Sequence, residues 1–261
     1  MATRKQILVT GGGTFLGDNI AAALLAEGAE VRLLVRPGAE DRLGSLADRT
    51  RWFTADVWDE ASLKGRARGQ DVVIHTVGSM TADPAHGLTH HRLNFVSARN
   101  VANMCVNGGV ARMMLISSAR APWVSGQYIA AKREAESYME RVGLEATIVR
   151  APLAYVRGMP RPFFYRLMSM LRFVPPLGLL GFSRISPMPI DVLARGVARL
   201  ALNDNHTKRI YYAPDLRRLN TRQERRHGAP LTPTEVQVGR RIRPIDQVDE
   251  NAPFGWTPPR E

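Results

Sequence analysis

The sequence predicts an α/β fold, a doubly wound parallel sheet with a small C-terminal lobe and an irregular basic tail. Three observations predict it. Short, nearly continuous apolar runs recur through the first 150 residues, as strands buried on both faces must read. Longer amphipathic segments separate them and supply the helical crossovers that parallel pairing needs. The first apolar run ends in a glycine cluster and passes directly into a helical pattern.

Ile7–Val9 reads as the first strand and Phe15–Glu27 as the first helix. Val31–Val35 is the second strand and Thr50–Thr54 a short third, followed by a helix start around Asp59–Leu63. Asp71–Thr76 is the fourth strand, Asn94–Gly108 a helix, and Met113–Ser117 the fifth strand. Gln127–Val142 is a long helix and Ala146–Val149 the sixth strand. Beyond Arg150 the pattern loosens. Pro160–Val174 is apolar and basic, Pro175–Gly181 is a Pro/Gly-rich loop, Ile190–Leu202 is a helix and Arg209–Tyr212 a short strand. From about Arg217 the composition shifts to Arg, Pro, Thr and Gln, which reads as a largely irregular tail. The expected organisation is an α/β core over residues 1–158, a closing lobe over 159–216 and a basic tail over 217–261. No internal repeat is visible.

Bulk properties narrow the function classes. The 261 residues suffice for one α/β core with a modest extension. Cys105 is the single cysteine, so no internal disulfide can form, and no CxxC or His/Cys cluster points to a metal. Met1–Gln6 is short and polar before strand-like residues begin, which leaves no room for a signal peptide. No apolar run reaches the roughly 18 residues a membrane-spanning helix needs. A cytoplasmic location is expected, with peripheral membrane contact left open. The formal net charge of +12 attracts polyanions. With no zinc-finger, RRM or KH pattern, nucleic-acid binding is a minor reading.

The glycine cluster is the most specific motif. Ile7-Leu8-Val9-Thr10-Gly11-Gly12-Gly13-Thr14-Phe15-Leu16-Gly17 reads as strand, tight turn and helix start. Such a turn needs positive φ and close backbone approach, which glycine permits. The following helix then presents its free N–H groups and positive dipole end to a pyrophosphate. Gly17 permits close packing of helix on strand. This places a nicotinamide dinucleotide against Gly11, Gly13, Thr14, Phe15, Leu16 and Gly17. The second strand ends at Val35-Arg36-Pro37, where an NAD-specific site wants a carboxylate. A guanidinium at Arg36 favours the 2′-phosphate of NADP(H), with NAD(H) the second choice. Thr76-Val77-Gly78 ends the fourth strand with small residues that would pass under ribose and nicotinamide, and His75 before them reads as a packed strand residue. Tyr128 and Lys132 stand at i and i+4, on one helix face. A nearby ammonium stabilises phenolate, so Lys132 is expected to lower the Tyr128 pKa from about 10 and make Tyr128 an acid/base.

These motifs resemble the short-chain dehydrogenase/reductase superfamily over about residues 6–200. Thr10-Gly11-Gly12-Gly13-Thr14-Phe15-Leu16-Gly17 is similar to the TGxxGxxG turn of its extended and atypical members, with Thr14 at the usual middle glycine. The resemblance implies a Rossmann fold and the YxxxK pair Tyr128 and Lys132, with Lys132 also bonding the nicotinamide ribose. It implies that Asp56, in Thr54-Ala55-Asp56-Val57, bonds the adenine amino group, with helix capping the plainer role for that aspartate. It implies that Arg150-Ala151-Pro152 borders the nicotinamide through Pro152. The family's catalytic hydroxyl follows the fifth strand. In Ile116-Ser117-Ser118-Ala119-Arg120 that place is Ala119, so Ser117, Ser118 or Ser125 stands in. The nearest resemblance is to the NmrA-like and complex I accessory-subunit group, and Ser125–Glu136 is similar to an atypical mitochondrial member tied to ubiquinone synthesis.

Two functions follow. One is an NADP(H)-dependent oxidoreductase passing hydride between nicotinamide C4 and a carbonyl or quinone-like substrate, with Tyr128 as proton donor. The other is a non-catalytic NADP(H)-holding protein, an accessory, assembly or redox-sensing subunit of a membrane-associated complex. Phe163, Phe164, Leu167, Met168 and Leu171 fall at helical spacing, with Arg161, Arg166 and Arg172 among or beside them. Residues 161–184 and the basic tail, with Arg217-Arg218, Arg225-Arg226, Arg240-Arg241 and Phe254-Gly255-Trp256, could meet an anionic membrane surface or a protein partner. The plainer readings are a helix packed on the sheet with snorkelling arginines, and a solvated tail.

Overall fold

The computed structural model describes residues 4–158, 183–205 and 207–228. The chain enters at strand β1 (Gln6–Gly12), turns at the glycines, and runs into helix α1 (Phe15–Ala26). Strand β2 (Glu30–Val35), a 3₁₀ segment Glu40–Leu46, and strand β3 (Arg51–Thr54) follow. Strand β4 (Val72–His75) leads through a loop to a π-helical turn, His91–Val96, continuous with helix α2 (Ser97–Gly108). Strand β5 (Arg112–Ser118), helix α3 (Gly126–Arg141) and strand β6 (Glu145–Ala151) complete the repeating pattern. Strand β7 (Ala154–Tyr155) pairs with β8 (Met188–Pro189) in a small second sheet. Helix α4 (Ile190–Leu202), strand β9 (Ile210–Tyr212), helix α5 (Ala213–Arg218) and helix α6 (Arg222–His227) end the described chain.

The main sheet has the order β3-β2-β1-β4-β5-β6-β9, and every pairing in it is parallel. It is the doubly wound Rossmann arrangement that the alternating apolar runs predict. Strand side chains alternate between faces. Ile7, Val9, Leu33 and Ile74 join α1 and α4 in one core layer, while Leu8, Leu34, Val73 and Leu115 join α2 and α3 in the other. Strand order reverses between β1 and β4, which opens a crevice at their carboxyl ends. The glycine turn and Thr76-Val77-Gly78 both lie there.

The structure departs from the sequence reading in three places. The helix start expected at Asp59–Leu63 is a chain of turns, with i→i+3 bonds such as Leu63 N to the Glu60 carbonyl at 3.3 Å. The Ser62 hydroxyl bonds back to the Asp56 and Asp59 carbonyls, and Gly65 and Gly69 take positive φ (75° and 71°), which breaks helical propagation. The helix expected over Asn94–Gly108 begins earlier, as the wider π turn from His91. The tail expected to be irregular from Arg217 instead starts with ordered helix. Thr221 and Glu224 form a capping box at the start of α6, and Glu224 ion-pairs with Arg195 and Arg199 of α4. Phe163 to Leu171, Arg161, Arg166, Arg172 and the tail beyond residue 228 lie outside the described residues.

Candidate active site

The glycine turn is built as its sequence requires. Gly11 and Gly13 take φ of 98° and 80°, which side-chain-bearing residues rarely adopt. A Cβ on Gly17 would stand 2.1 Å from the Gly11 carbonyl oxygen, so only glycine lets α1 close on β1. Thr14 caps α1: its Oγ1 accepts from the Gly17 amide at 3.1 Å and donates to the Gly11 carbonyl at 2.7 Å. The place where the resembling pattern has glycine is thus filled by a capping side chain. The Gly13 amide donates to the Asp18 carboxylate at 2.8 Å. Phe15 and Leu16 supply first-turn amides, for which an α-helix has no carbonyl of its own. The turn therefore fits a diphosphate, with those two amides as donors and the positive end of the helix dipole facing it.

Along the crevice, the Thr76 hydroxyl donates to the Thr10 carbonyl and packs under Gly11. Val77 is buried, and Gly78 takes a φ of 150°. A Cβ on Gly78 would stand 2.5 Å from Asn94 Oδ1 and 2.7 Å from Lys132 Nζ, so the chain passes directly beside both groups. At the other end, Asp56 Oδ1 accepts from the Trp58 amide at 2.9 Å, the local turn-capping role. The carbonyl of buried Val57 accepts from Asn100 Nδ2 at 3.1 Å. Arg36 is half-buried at the end of β2, and the 3₁₀ segment Glu40–Leu46 brings Arg42 beside the turn, with its Cβ 3.3 Å from where a Gly13 Cβ would lie. Pro152 is half-buried just past β6.

Tyr128 and Lys132 are both buried on α3, and Lys132 Nζ lies 6.0 Å from the Tyr128 ring centre. Lys132 donates to the Ile116 carbonyl at 3.3 Å. The two candidate serines separate. Ser118 lies close enough to Tyr128 to pull its phenol downward, and the Ser118 hydroxyl itself donates to the Ala119 carbonyl at 3.1 Å. Ser117 instead donates to the Glu136 carboxylate at 2.6 Å, away from Tyr128. Ser125 is exposed in the loop before α3. Ala119 is buried, with its amide bonded to the Ala151 carbonyl at 3.1 Å.

Electrostatics overturn one expectation. Burial pushes the Tyr128 phenol up to about 12, and the opposing pulls of Ser118 and Arg133 do not reverse it. Burial also pulls the Lys132 ammonium down to about 8, partly opposed by Glu136. Desolvation outweighs charge here because both side chains lie inside the protein. Tyr128 is therefore held as the neutral phenol.

Three neighbours escaped the sequence reading. Asn94 is fully buried; its Oδ1 accepts from the Ser79 amide at 3.0 Å and its Nδ2 donates to the Ser79 and His90 carbonyls. The π turn sets it facing Gly78, a placement that helical periodicity does not encode. His90 lies with its ring centre 5.8 Å from that of Tyr128. Arg133, next to Lys132, bonds the Ser118 carbonyl at 2.9 Å. Among the described residues no cluster of His, Cys, Asp or Glu could hold a metal ion, and no helix is long and apolar enough to cross a membrane.

Residues 11–155, more than half of the chain and spanning the turn, Tyr128 and Pro152, match the NAD(P)H-binding family. The chain belongs to that family. It stands among proteins like the atypical short-chain dehydrogenases/reductases. It is 33% identical over 162 residues to a ceramide reductase of Caulobacter vibrioides, covering 60% of this chain and 50% of that one. It is 28% identical over 116 residues to a bovine (Bos taurus) sterol-4-alpha-carboxylate 3-dehydrogenase, decarboxylating, covering 44% of this chain and 31% of that protein. The chain thus spans half or less of the length of these two curated relatives. A dTDP-glucose 4,6-dehydratase from Streptomyces venezuelae, with NAD and TYD bound, superposes with a TM-score of 0.56 at 20% identity, covering 79% of this chain and 74% of that one. A UDP-glucose 4-epimerase from Bifidobacterium longum, with NAD+ and UDP, gives 0.57 at 16% identity, covering 79% and 76%. At these identities the two structures speak for the fold.

Proposed function

We propose that this NAD(P)H-binding chain is an oxidoreductase that prefers NADP(H) and reduces a carbonyl on a lipophilic substrate. The observation that carries the reading is the meeting of Lys132 and Asn94 beside Gly78, with the Tyr128 ring centre 6.0 Å from Lys132 Nζ and Ser118 close to the Tyr128 phenol, at the carboxyl end of the sheet next to the glycine turn. A bound dinucleotide would supply the hydride. The chain's own groups do the rest. Ser118 and Tyr128 hold the substrate oxygen, and Tyr128 passes its proton to that oxygen as charge builds there. A phenol near 12 is fully protonated at neutral pH, so the site is poised for reduction more than for oxidation. Lys132 stabilises the phenolate left behind and bonds the nicotinamide ribose. Phe15 and Leu16 amides hold the pyrophosphate, the remaining carboxylate oxygen of Asp56 meets the adenine amino group, and Arg36 with Arg42 meets the 2′-phosphate.

The named activities of the relatives, a ceramide reductase and a sterol dehydrogenase, support a lipophilic carbonyl and turnover over a purely nucleotide-holding role. Contact with a membrane surface through residues 161–184 and the tail belongs to the same proposal, as the place where such a substrate resides. The test is Tyr128→Phe with NADPH affinity and turnover measured on long-chain ketones, ketosteroids and quinones. Cofactor affinity is expected to stay within about twofold while turnover falls about 10²–10⁴-fold. No NADPH oxidation by the unaltered protein across that panel overturns the reading.

A further inference from the structure

Beyond Tyr128 and Lys132, α3 carries charged groups that the proposed reaction leaves unused. Glu136 stands eight residues after Tyr128, and only 3% of its side chain is exposed. Its carboxylate accepts from the Ser117 hydroxyl at 2.6 Å, from Arg150 Nη2 at 2.6 Å and Nε at 3.2 Å, and from Arg133 Nη1. Arg150, on β6, also donates to the Tyr212 hydroxyl of β9 at 2.8 Å. Arg133 turns toward the end of β5: Nη2 donates to the Ser118 carbonyl at 2.9 Å and Nη1 to the Ser117 hydroxyl at 3.1 Å. One carboxylate thereby joins α3, β5, β6 and, through Arg150, β9.

Buried ion sets are poor sources of stability compared with well-packed apolar residues of the same volume. What they fix is geometry, and here the geometry fixed is that of Ser117-Ser118. Ser118 is the serine close to Tyr128, and its neighbour Ala119 has no hydroxyl to offer. A planar guanidinium can bond Glu136, Ser117 and the Ser118 carbonyl together, whereas an ammonium presents a single point.

We propose that Arg133 is a positioning residue: clamped by Glu136, it holds the end of β5 so that Ser118 stays beside Tyr128. The idea rests on the reading of Ser118 and Tyr128 as the reacting pair. The charge of Arg133 also draws the Tyr128 phenol downward, in keeping with its closeness.

The experiment combines a readout that needs no substrate with one that does. The protein has six tyrosines, so ¹³Cζ-tyrosine labelling gives a readable NMR spectrum, with Tyr128 assigned by its disappearance in Tyr128→Phe. Arg133→Gln is expected to move the Tyr128 signal while those of Tyr138 and Tyr155 stay. Arg133→Lys, which keeps a charge for Glu136 and so guards against misfolding, is expected to move it too. In turnover, both variants are expected to lower kcat tenfold or more at unchanged KM and NADPH affinity. In a Ser118→Ala background, Arg133→Gln should add less than twofold. An unmoved Tyr128 signal, or an undiminished loss in the Ser118→Ala background, overturns the proposal. If the unaltered protein turns over no carbonyl, the function reading falls, and the NMR shift alone decides the positioning role.

Discussion

A few single atoms carry most of the chemistry. At Gly17 the missing Cβ is the functional feature, since a methyl group would meet the Gly11 carbonyl at 2.1 Å. Gly17→Ala must push α1 off β1, and the Phe15 and Leu16 amides move with it. Calorimetry should then show NADPH affinity at least tenfold weaker; unaltered affinity would mean the diphosphate does not bind this turn. Lys132 sets a pH signature. Its ammonium titrates near 8, so the cationic form is present below that pH and lost as pH rises through it. Tyr128, near 12, stays protonated across the same range. Reductive kcat/KM for the cofactor, which reports the free enzyme, should therefore fall above about pH 8. Lys132→Met should flatten that limb. Cys105, buried and pushed up to about 12, is expected to resist thiol reagents while the protein is folded.

Helix α6 shows how a short basic segment becomes ordered. Six residues make a marginal helix alone, so its order comes from its ties. Glu224 meets Arg199 Nη2 at 2.8 Å and Arg195 Nη1 at 3.1 Å, and the same two arginines reach Glu27 at the end of α1. At the other end of α6, Arg157 donates to the Glu224, Arg225 and Arg226 carbonyls and pairs with Asp191. The Arg199 guanidinium beside Glu224 is the largest influence on its carboxyl and holds it near 2, against an ordinary value of 4.5. A depressed carboxyl stabilises fully above its unfolded value and loses that contribution as pH falls toward the folded one. The melting temperature should thus drop between about pH 4.5 and 2, and drop less in Glu224→Gln. At neutral pH, Glu224→Gln is expected to cost about 1–3 kcal/mol. It should also speed tryptic cleavage at Arg225 and Arg226. An unchanged cleavage rate would mean that these ion pairs do not hold the helix.

For the whole molecule, the sheet and its crevice make cofactor binding a stability term. A ligand at 100 times its Kd adds about 2.7 kcal/mol to the folded state. If Arg36 and Arg42 meet the 2′-phosphate as proposed, NADPH is expected to raise the melting temperature more than NADH at equal concentration. Arg36→Asp should reverse that order; a retained preference would move the 2′-phosphate site elsewhere. β9 and α4 belong to the same sheet and core as the first 150 residues, since β9 extends β6 and α4 packs on α1. Changes in the α4–α6 region should accordingly shift the main unfolding transition.

The apolar runs at Ile7–Val9, Val31–Val35 and Met113–Ser117, and the glycines at 11, 13 and 17, determined the fold, the cofactor class and the position of Tyr128 and Lys132. Periodicity and backbone freedom are local properties, and a sequence displays them directly. Only the tertiary structure decided which serine lies close to Tyr128 and which bonds Glu136, that Asn94 stands at Gly78, that Arg133 and Arg150 converge on Glu136, and that burial pushes the Tyr128 phenol up to about 12. Each depends on how strands and helices distant in sequence pack. Desolvation and side-chain direction are set by that packing, and no spacing rule along the chain contains them.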